Sequence, residues 1–265
     1  MKKKHEIPLK NLPASVKAHI EHLERVRRDF VANVSHELRT PLTVIQGYLE
    51  TLLKQDRDET KPFKKIFEQM YQHSIRMANI IEDLLLLSVL ETDDYPLEEK
   101  SKIHIADLLK KLVEEAEDIS GAKMHRISLY ADSHVLLDGA ENELKSLFTN
   151  LVVNAIKYTP EKGQIMIEWT SQNGQAIFRV KDTGIGISKQ QIPRITERFY
   201  RVDKGRSRES GGTGLGLAIV KHILIRHQGE LLVESQLGEG STFTCIFPPQ
   251  RTHRLIIPSP SQGEG

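Results

Sequence analysis

The sequence has 265 residues, 38% hydrophobic and 28% charged, a globular composition with room for one large domain or two modest ones. Its 37 basic and 36 acidic residues nearly cancel, which leaves no electrostatic footprint for direct nucleic-acid binding. A single cysteine, Cys245, excludes a disulfide framework or a cysteine metal site within one chain and fits a reducing compartment.

No apolar run approaches the ~20 residues that a membrane-spanning helix needs. The richest, 80–90, is broken by Glu82 and Asp83. Lys2, Lys3 and Lys4 lead into no apolar region, so no signal peptide is read, and a soluble cytoplasmic product is expected. Those lysines fit a solvated tail or the end of a basic juxtamembrane segment.

Residues 1–22 carry Pro8 and Pro13, show no sustained period, and read as a linker. From about Glu24 to Leu53 the pattern is helical: Phe30, Val34, Leu38, Leu42, Ile45, Leu49 and Leu52 form one apolar stripe. Pro62 opens a second stripe of Phe63, Ile66, Met70, Met77, Ile81, Leu84 and Leu87. Residues 23–92 therefore predict a helical hairpin. Two helices bury little alone, and a second copy would close a four-helix bundle, so a homodimer is expected.

Residues 92–96 break the helix, and from 100 to 248 the texture is mixed. Ile103 to Ala116 reads as strand then helix, Ile127 to Tyr130 as strand, and Glu141 to Tyr158 as helix. Gln164 to Thr170 and Ala176 to Lys181 read as strands, and Gly211 to His227 as a glycine-rich loop opening a helix. Glu230 to Ser235 and Ser241 to Phe247 read as a closing hairpin. No run of βαβ repeats is present, which favours an α+β sandwich over a doubly wound sheet. Residues 249–265 are rich in proline, serine and glycine and read as a disordered tail.

On the first helix, His36 lies two residues from both Val34 and Leu38, so it points away from the apolar stripe. Glu37 is beside it, Thr40 shares its exposed side, and Pro41 should kink the helix. A zinc reading of His36-Glu37 fails, because position 40 holds Thr where a second histidine is required.

Asn150, Asn154 and Lys157, spaced by four and three, share one face of a helix whose other face carries Leu144, Leu147, Leu151 and Ala155. Glu143 falls on the same polar face. Two carboxamides suit a hard cation such as Mg²⁺, and a lysine one turn on can pair with phosphate. The Asp182 to Ile187 segment follows a strand, and its glycines allow close backbone approach. Gly211 to Leu217 has four glycines ahead of an apolar-periodic helix, an anion site of backbone N–H groups and helix N-terminus. No Gly-Lys-Ser/Thr follows, so this is not a P-loop.

Ser35 to Leu42, Ser-His-Glu-Leu-Arg-Thr-Pro-Leu, resembles the phospho-acceptor box of sensor histidine kinases of two-component systems. The resemblance continues through four boxes of a Bergerat-type ATP-binding domain: Asn150 to Tyr158, Asp182 to Ile187, Glu197 to Arg201, and Gly212 to Leu217, with Gly240-Ser241-Thr242 trailing. It implies that His36 is the catalytic acceptor, that Glu37 orients it, and that Thr40 supports phosphatase action on the regulator. It implies Asn154 as main Mg²⁺ ligand with Asn150 nearby, Lys157 on phosphate, Tyr158 near the base, and Asp182 and Thr242 on the adenine side. Gly184, Gly186, Ile187, Arg198, Tyr200, Gly212, Thr213, Gly214, Leu215, Gly216 and Leu217 complete the implied ATP site, under a lid at 205–212 that holds Arg206 and Arg208, with Lys204 just ahead of it.

Ile192 to Lys204, with Thr196 where many relatives have Phe, resembles the phosphate-regulon branch of that family. The expected partner is then a response regulator, the phosphate-regulon transcription factor. That branch would carry membrane helices and a sensor domain ahead of the acceptor helix, so this sequence is expected to be either a piece cut from such a protein or a naturally truncated product. A gyrase-like ATPase would have no use for Ser35 to Leu42, and a kinase-inactive docking module would not keep all four boxes.

Overall fold

The computed structural model describes residues 35, 38–40, 42–54, 63–91, 101–201 and 213–255. His36, Glu37, Pro41, the 1–22 linker, the 92–100 connection, Lys204, Arg206, Arg208, Gly212 and the rest of the 205–212 lid lie outside them. The chain divides into two units, 1–94 and 95–265.

The first unit is a helical hairpin. Helix α1 is described over 38–40 and 42–54, and α2 spans Lys64–Leu90. Arg39 meets Glu82 at 4.0 Å, and Tyr71 Oη donates to Glu50 Oε1 at 2.8 Å, so the helices run antiparallel. Leu42, Leu49, Ile81, Leu87 and Leu90 are buried. Leu38, Ile45, Phe63, Ile66, Met70 and Met77, all members of the two stripes, are exposed. Two helices can cover only one flank of each stripe, and the other flank stays outside.

The second unit is an α/β sandwich. Its five-stranded sheet is built from β2 (Arg126–Ala131), β4 (Gln164–Gln172), β5 (Gln175–Asp182), β6 (Glu230–Gln236) and β7 (Gly240–Phe247). Their order is β2-β4-β5-β7-β6, with β2 and β4 parallel and the other neighbours antiparallel. Helices α3 (Ile105–Ser120), α4 (Glu141–Tyr158) and α5 (Gly216–Arg226) supply the second layer. Strand alternation aims Ile165, Ile167, Trp169, Phe178, Val180, Phe243, Cys245 and Phe247 inward, where they join the buried Leu144, Leu147, Phe148, Leu151, Ile219 and Ile223. Phe148 and Phe178 meet as tilted rings with centroids 4.4 Å apart, and Trp169 Nε1 donates to Val135 O at 3.1 Å.

Two expectations need correction. The sequence reading missed β3 (Val135–Gly139), which pairs with β1 (Ser101–Ile103) and with β8 (Thr252–Arg254) in a second, three-stranded sheet. Strand β8 falls inside the supposed disordered tail, so the fold does not end at residue 248. A 3₁₀ turn at Pro249–Arg251 leads into β8, and buried Arg251 donates to Asp138 O and Arg226 O, each at 3.3 Å. The second of these places a cation on the carbonyl end of α5, which opposes that helix's negative pole.

Candidate nucleotide site

Helix α4 delivers the first part of the site. Its buried face anchors it on the sheet, and Asn150, Asn154 and Lys157 lie on the half-buried side. Asn150 Nδ2 donates to Ser146 O at 2.9 Å, and its Oδ1 sits so close to the first residue of α5 that a Cβ on Gly216 would come within 2.4 Å of it. Any larger residue at 216 would push the Asn150 carboxamide out of this position. Among the described residues, nothing hydrogen-bonds the Asn154 carboxamide. An unengaged amide oxygen beside a second amide suits a hard cation.

The loop after β5 supplies the second part. Asp182 is only 5% exposed, and its Oδ1 accepts from Gly184 N–H at 2.8 Å and Ser241 N–H at 3.3 Å. Burial raises its pKa, and those two backbone donors oppose the rise. The loop is laced on both sides. Ile185 N–H donates to Tyr158 O at the end of α4 at 3.1 Å, and Gly238 N–H donates to Ile185 O at 2.8 Å. Ile187 N–H donates to Ser235 Oγ at 2.8 Å. Lys157 Nζ lies 5.0 Å from the Tyr158 ring centre, and burial raises the Tyr158 phenol pKa.

The N-terminus of α5 is the third part. Thr213 Oγ1 accepts from Leu215 N–H at 3.1 Å. Leu215 itself is buried in the core, so only its backbone can face a ligand, and Leu217 is half-buried. Gly214 adopts φ +77°, and its carbonyl accepts from Phe199 N–H at 2.9 Å. Phe199 also has a left-handed φ, +59°, and this bond ties the end of the 101–201 stretch to the start of the 213–255 stretch. Beside it Tyr200 is half-buried with the Arg194 guanidinium 4.4 Å from its ring centre, while Arg198 is exposed.

Thr242 does not join the site. It pairs with Lys181 and Glu234 on the outer face of the sheet, while the neighbouring Ser241 pairs with Asp182 on the helix side. A strand's period of two puts these neighbours on opposite faces, so Ser241 and not Thr242 shares the side of Asp182. Ser241 Oγ lies 2.9 Å from Ser235 Oγ, and neither serine was singled out in the sequence. Thr40, in the first unit, is helical and exposed.

Comparison with known proteins matches residues 26–93 to the His Kinase A (phospho-acceptor) domain. Residues 139–251 match the histidine kinase-, DNA gyrase B- and HSP90-like ATPase family. The Phosphate regulon sensor protein PhoR of Pseudomonas aeruginosa is 53% identical over 230 residues, 87% of this chain and 52% of that protein. The chain belongs to the sensor histidine kinases of two-component systems.

PhoR of Haemophilus influenzae is 40% identical over 228 residues, 86% of this chain and 52% of its own length. The histidine kinase described here thus spans about half the length of the curated relatives it matches. Among solved structures, full-length ShkA in complex with AMPPNP aligns with TM-score 0.71 and 25% identity over 87% of this chain and 47% of its own. No helix among the described residues of this kinase is long and apolar enough to cross a membrane.

Elsewhere along these helices, α4 and α5 are tied by Glu143, which pairs with Arg226 at 3.0 Å and so turns from the expected polar face toward its neighbour helix. His227, fully buried at the end of α5, donates from Nδ1 to Ile223 O at 2.8 Å and accepts from Ala140 N–H at Nε2 at 3.3 Å. Both bonds require the neutral ring. Burial first, then the Arg251 and Arg226 charges, push its pKa down to about 4, although Glu143 lies 3.7 Å away. Between the ordinary value of 6.5 and about 4 the unfolded chain takes up the proton first, so stability falls as pH falls through that window. The loss expected across it is up to about 3 kcal/mol. Thermal unfolding of the kinase and of His227→Gln between pH 7 and 4 checks this: the variant should lose most of the slope.

Proposed function

We propose that this chain autophosphorylates His36 with ATP and passes the phosphoryl group to an aspartate of a response regulator. The observation that carries the reading is the convergence of the ATP boxes. Asn150 sits over Gly216, Tyr158 O receives the loop that starts at Asp182, and Phe199 is stitched to Gly214. The acceptor box supplies the other reactant. An imidazole nitrogen of His36 attacks the γ-phosphorus, the bond to the β,γ-bridging oxygen breaks, and ADP leaves. A neutral imidazole is available at pH 7 because its unperturbed pKa is near 6.5. Glu37 holds the proton on the other ring nitrogen and steadies the growing positive charge.

In the nucleotide site Asp182 accepts from the adenine amino group through the oxygen that Gly184 and Ser241 leave open. Tyr158 packs near the base, Lys157 pairs with phosphate, and the N-terminal amides of α5 offset phosphate charge. Asn154 and Asn150 are the residues that would hold Mg²⁺, which when bound neutralises phosphate charge. Thr40 places a water that returns the regulator's phosphoaspartate to its resting state, which gives a phosphatase activity.

The exposed halves of the two apolar stripes support a homodimer through the helical hairpin. The identity to phosphate regulon sensor proteins supports a phosphate-starvation role, with the phosphate-regulon transcription factor as regulator. A purified chain incubated with γ-labelled ATP and Mg²⁺ should acquire acid-labile, alkali-stable label. His36→Ala and Asn154→Ala should acquire none. Label persisting on His36→Ala would move the acceptor elsewhere.

A further inference from the structure

Helix α4 ends without the usual device. Its last residues run into Thr159 in extended conformation, with no left-handed glycine to satisfy the final carbonyls. A remote side chain does that work. Lys123, in the 3₁₀ turn between α3 and β2, donates from Nζ to Ile156 O at 3.0 Å, Lys157 O at 3.1 Å and Thr159 O at 3.4 Å. His125 Nε2 lies 3.1 Å from the same Thr159 oxygen, and its Nδ1 lies 2.9 Å from Ser120 Oγ. The remaining carbonyls are also accounted for: Ala155 O receives Thr159 N–H, and Tyr158 O receives Ile185 N–H.

We infer that Lys123 is a positioning residue for nucleotide binding, acting through the last turn of α4. This rests on the reading that Lys157 and Tyr158 face the nucleotide. The turn that Lys123 gathers is the one carrying both side chains, and its end also holds the Asp182–Ile187 loop. Lys123 is itself fixed from behind, since Lys162 N–H donates to its carbonyl at 2.8 Å. A second effect adds to the geometric one. The C-terminal end of a helix is its negative pole, the wrong sign beside phosphates, and an ammonium placed on it cancels that field.

The test is calorimetric titration of Mg·ADP into the full chain and its variants, beside autophosphorylation at saturating ATP. Lys123→Met should bind ADP about 10-fold more weakly, while saturating ATP restores the rate to within about 2-fold of the parent. Lys123→Arg, which keeps charge and donors, should bind like the parent. A purely structural cap would lower Tm and leave ADP affinity of the folded protein unchanged, so equal affinity in Lys123→Met overturns the inference. If Lys123→Met does not fold, Lys123→Gln is read by the same criteria. If the unaltered chain binds no ADP, the nucleotide reading falls and this inference falls with it.

Discussion

Asp182→Asn should make the ATP-binding unit more stable and nearly unable to bind nucleotide. The two effects have one origin. Asp182 is 5% exposed, and burial raises its pKa, so the fold holds its charged form at a cost. Its folded pKa lies above its unfolded value, which means the penalty is full above the folded pKa and fades as pH falls toward the unfolded one. Asparagine keeps an oxygen for Gly184 and Ser241 N–H and removes the charge, so Tm should rise by a few degrees at pH 7, with the gap closing under acid conditions.

Binding should move the other way. The adenine amino group is a donor and needs an acceptor, and the asparagine side chain can turn an NH₂ toward it instead. A site built to pair one polar group discriminates strongly against the mismatch, so ADP affinity should fall on the order of 100-fold or more. The same NH₂ suits the carbonyl of guanine, so the preference for adenine over guanine nucleotides should narrow. Calorimetric titration with ADP and GDP, run beside thermal unfolding, reads all three. Unchanged ADP affinity would remove Asp182 from the base; a lower Tm would mean that its charge supports the fold.

The parts legible in the sequence are those where one local rule decides the outcome. Helices α3 and α4 each bury a stripe at helical spacing, and β4 and β7 alternate against the core over most of their length. Strand β3 did not announce itself. Val135, Leu136 and Leu137 are all buried, so the strand shows no alternation and is too short to stand out as an apolar run. Strand β8 is three residues, Thr252, His253 and Arg254, in a segment whose composition argues for disorder. What places it is long-range: pairing to β3, the His253–Asp138 contact at 2.7 Å, and Arg251 seated on two distant carbonyls.

The candidate site divides the same way. The asparagines and glycines were readable because each is costly where it stands unless something uses it. Ser235, Ser241 and Lys123 carry no such cost, and an isolated serine or lysine fits any surface. Their roles come from partners 48, 59 and 33 or more residues away, visible only once the chain is folded. Thr242 stands the opposite way: its residue type fits the adenine side, while strand register puts it beside Lys181 and leaves its neighbour Ser241 beside Asp182.

Gly186→Ala should separate the loop from the scaffold. Gly186 has φ +69°, and an added Cβ would lie 1.9 Å from Gln236 O, 2.7 Å from its carbonyl carbon and 3.0 Å from Leu237 Cα. All three are backbone atoms, so no side chain can swing away. Relief requires the 184–187 loop to lift off the β6–β7 turn, which breaks the Gly238 N–H to Ile185 O bond and the Ile187 N–H to Ser235 Oγ bond. Left-handed strain in a non-glycine residue and the clash together should cost more than about 2 kcal/mol. Gly174→Ala isolates the strain: φ there is +79°, yet the nearest atom is Pro249 Cβ at 3.6 Å, so only about 1 kcal/mol is expected. The loop starts at Asp182, four residues along β5 from Phe178, the strand partner of Trp169, so Gly186→Ala should keep the near-ultraviolet signal from Trp169 while ADP affinity collapses. Near-parental ADP binding in Gly186→Ala would mean that the loop reaches the nucleotide without this contact. Equal Tm losses in the two variants would show that backbone strain alone, and not the packing of the loop on the β6–β7 turn, sets the requirement for glycine.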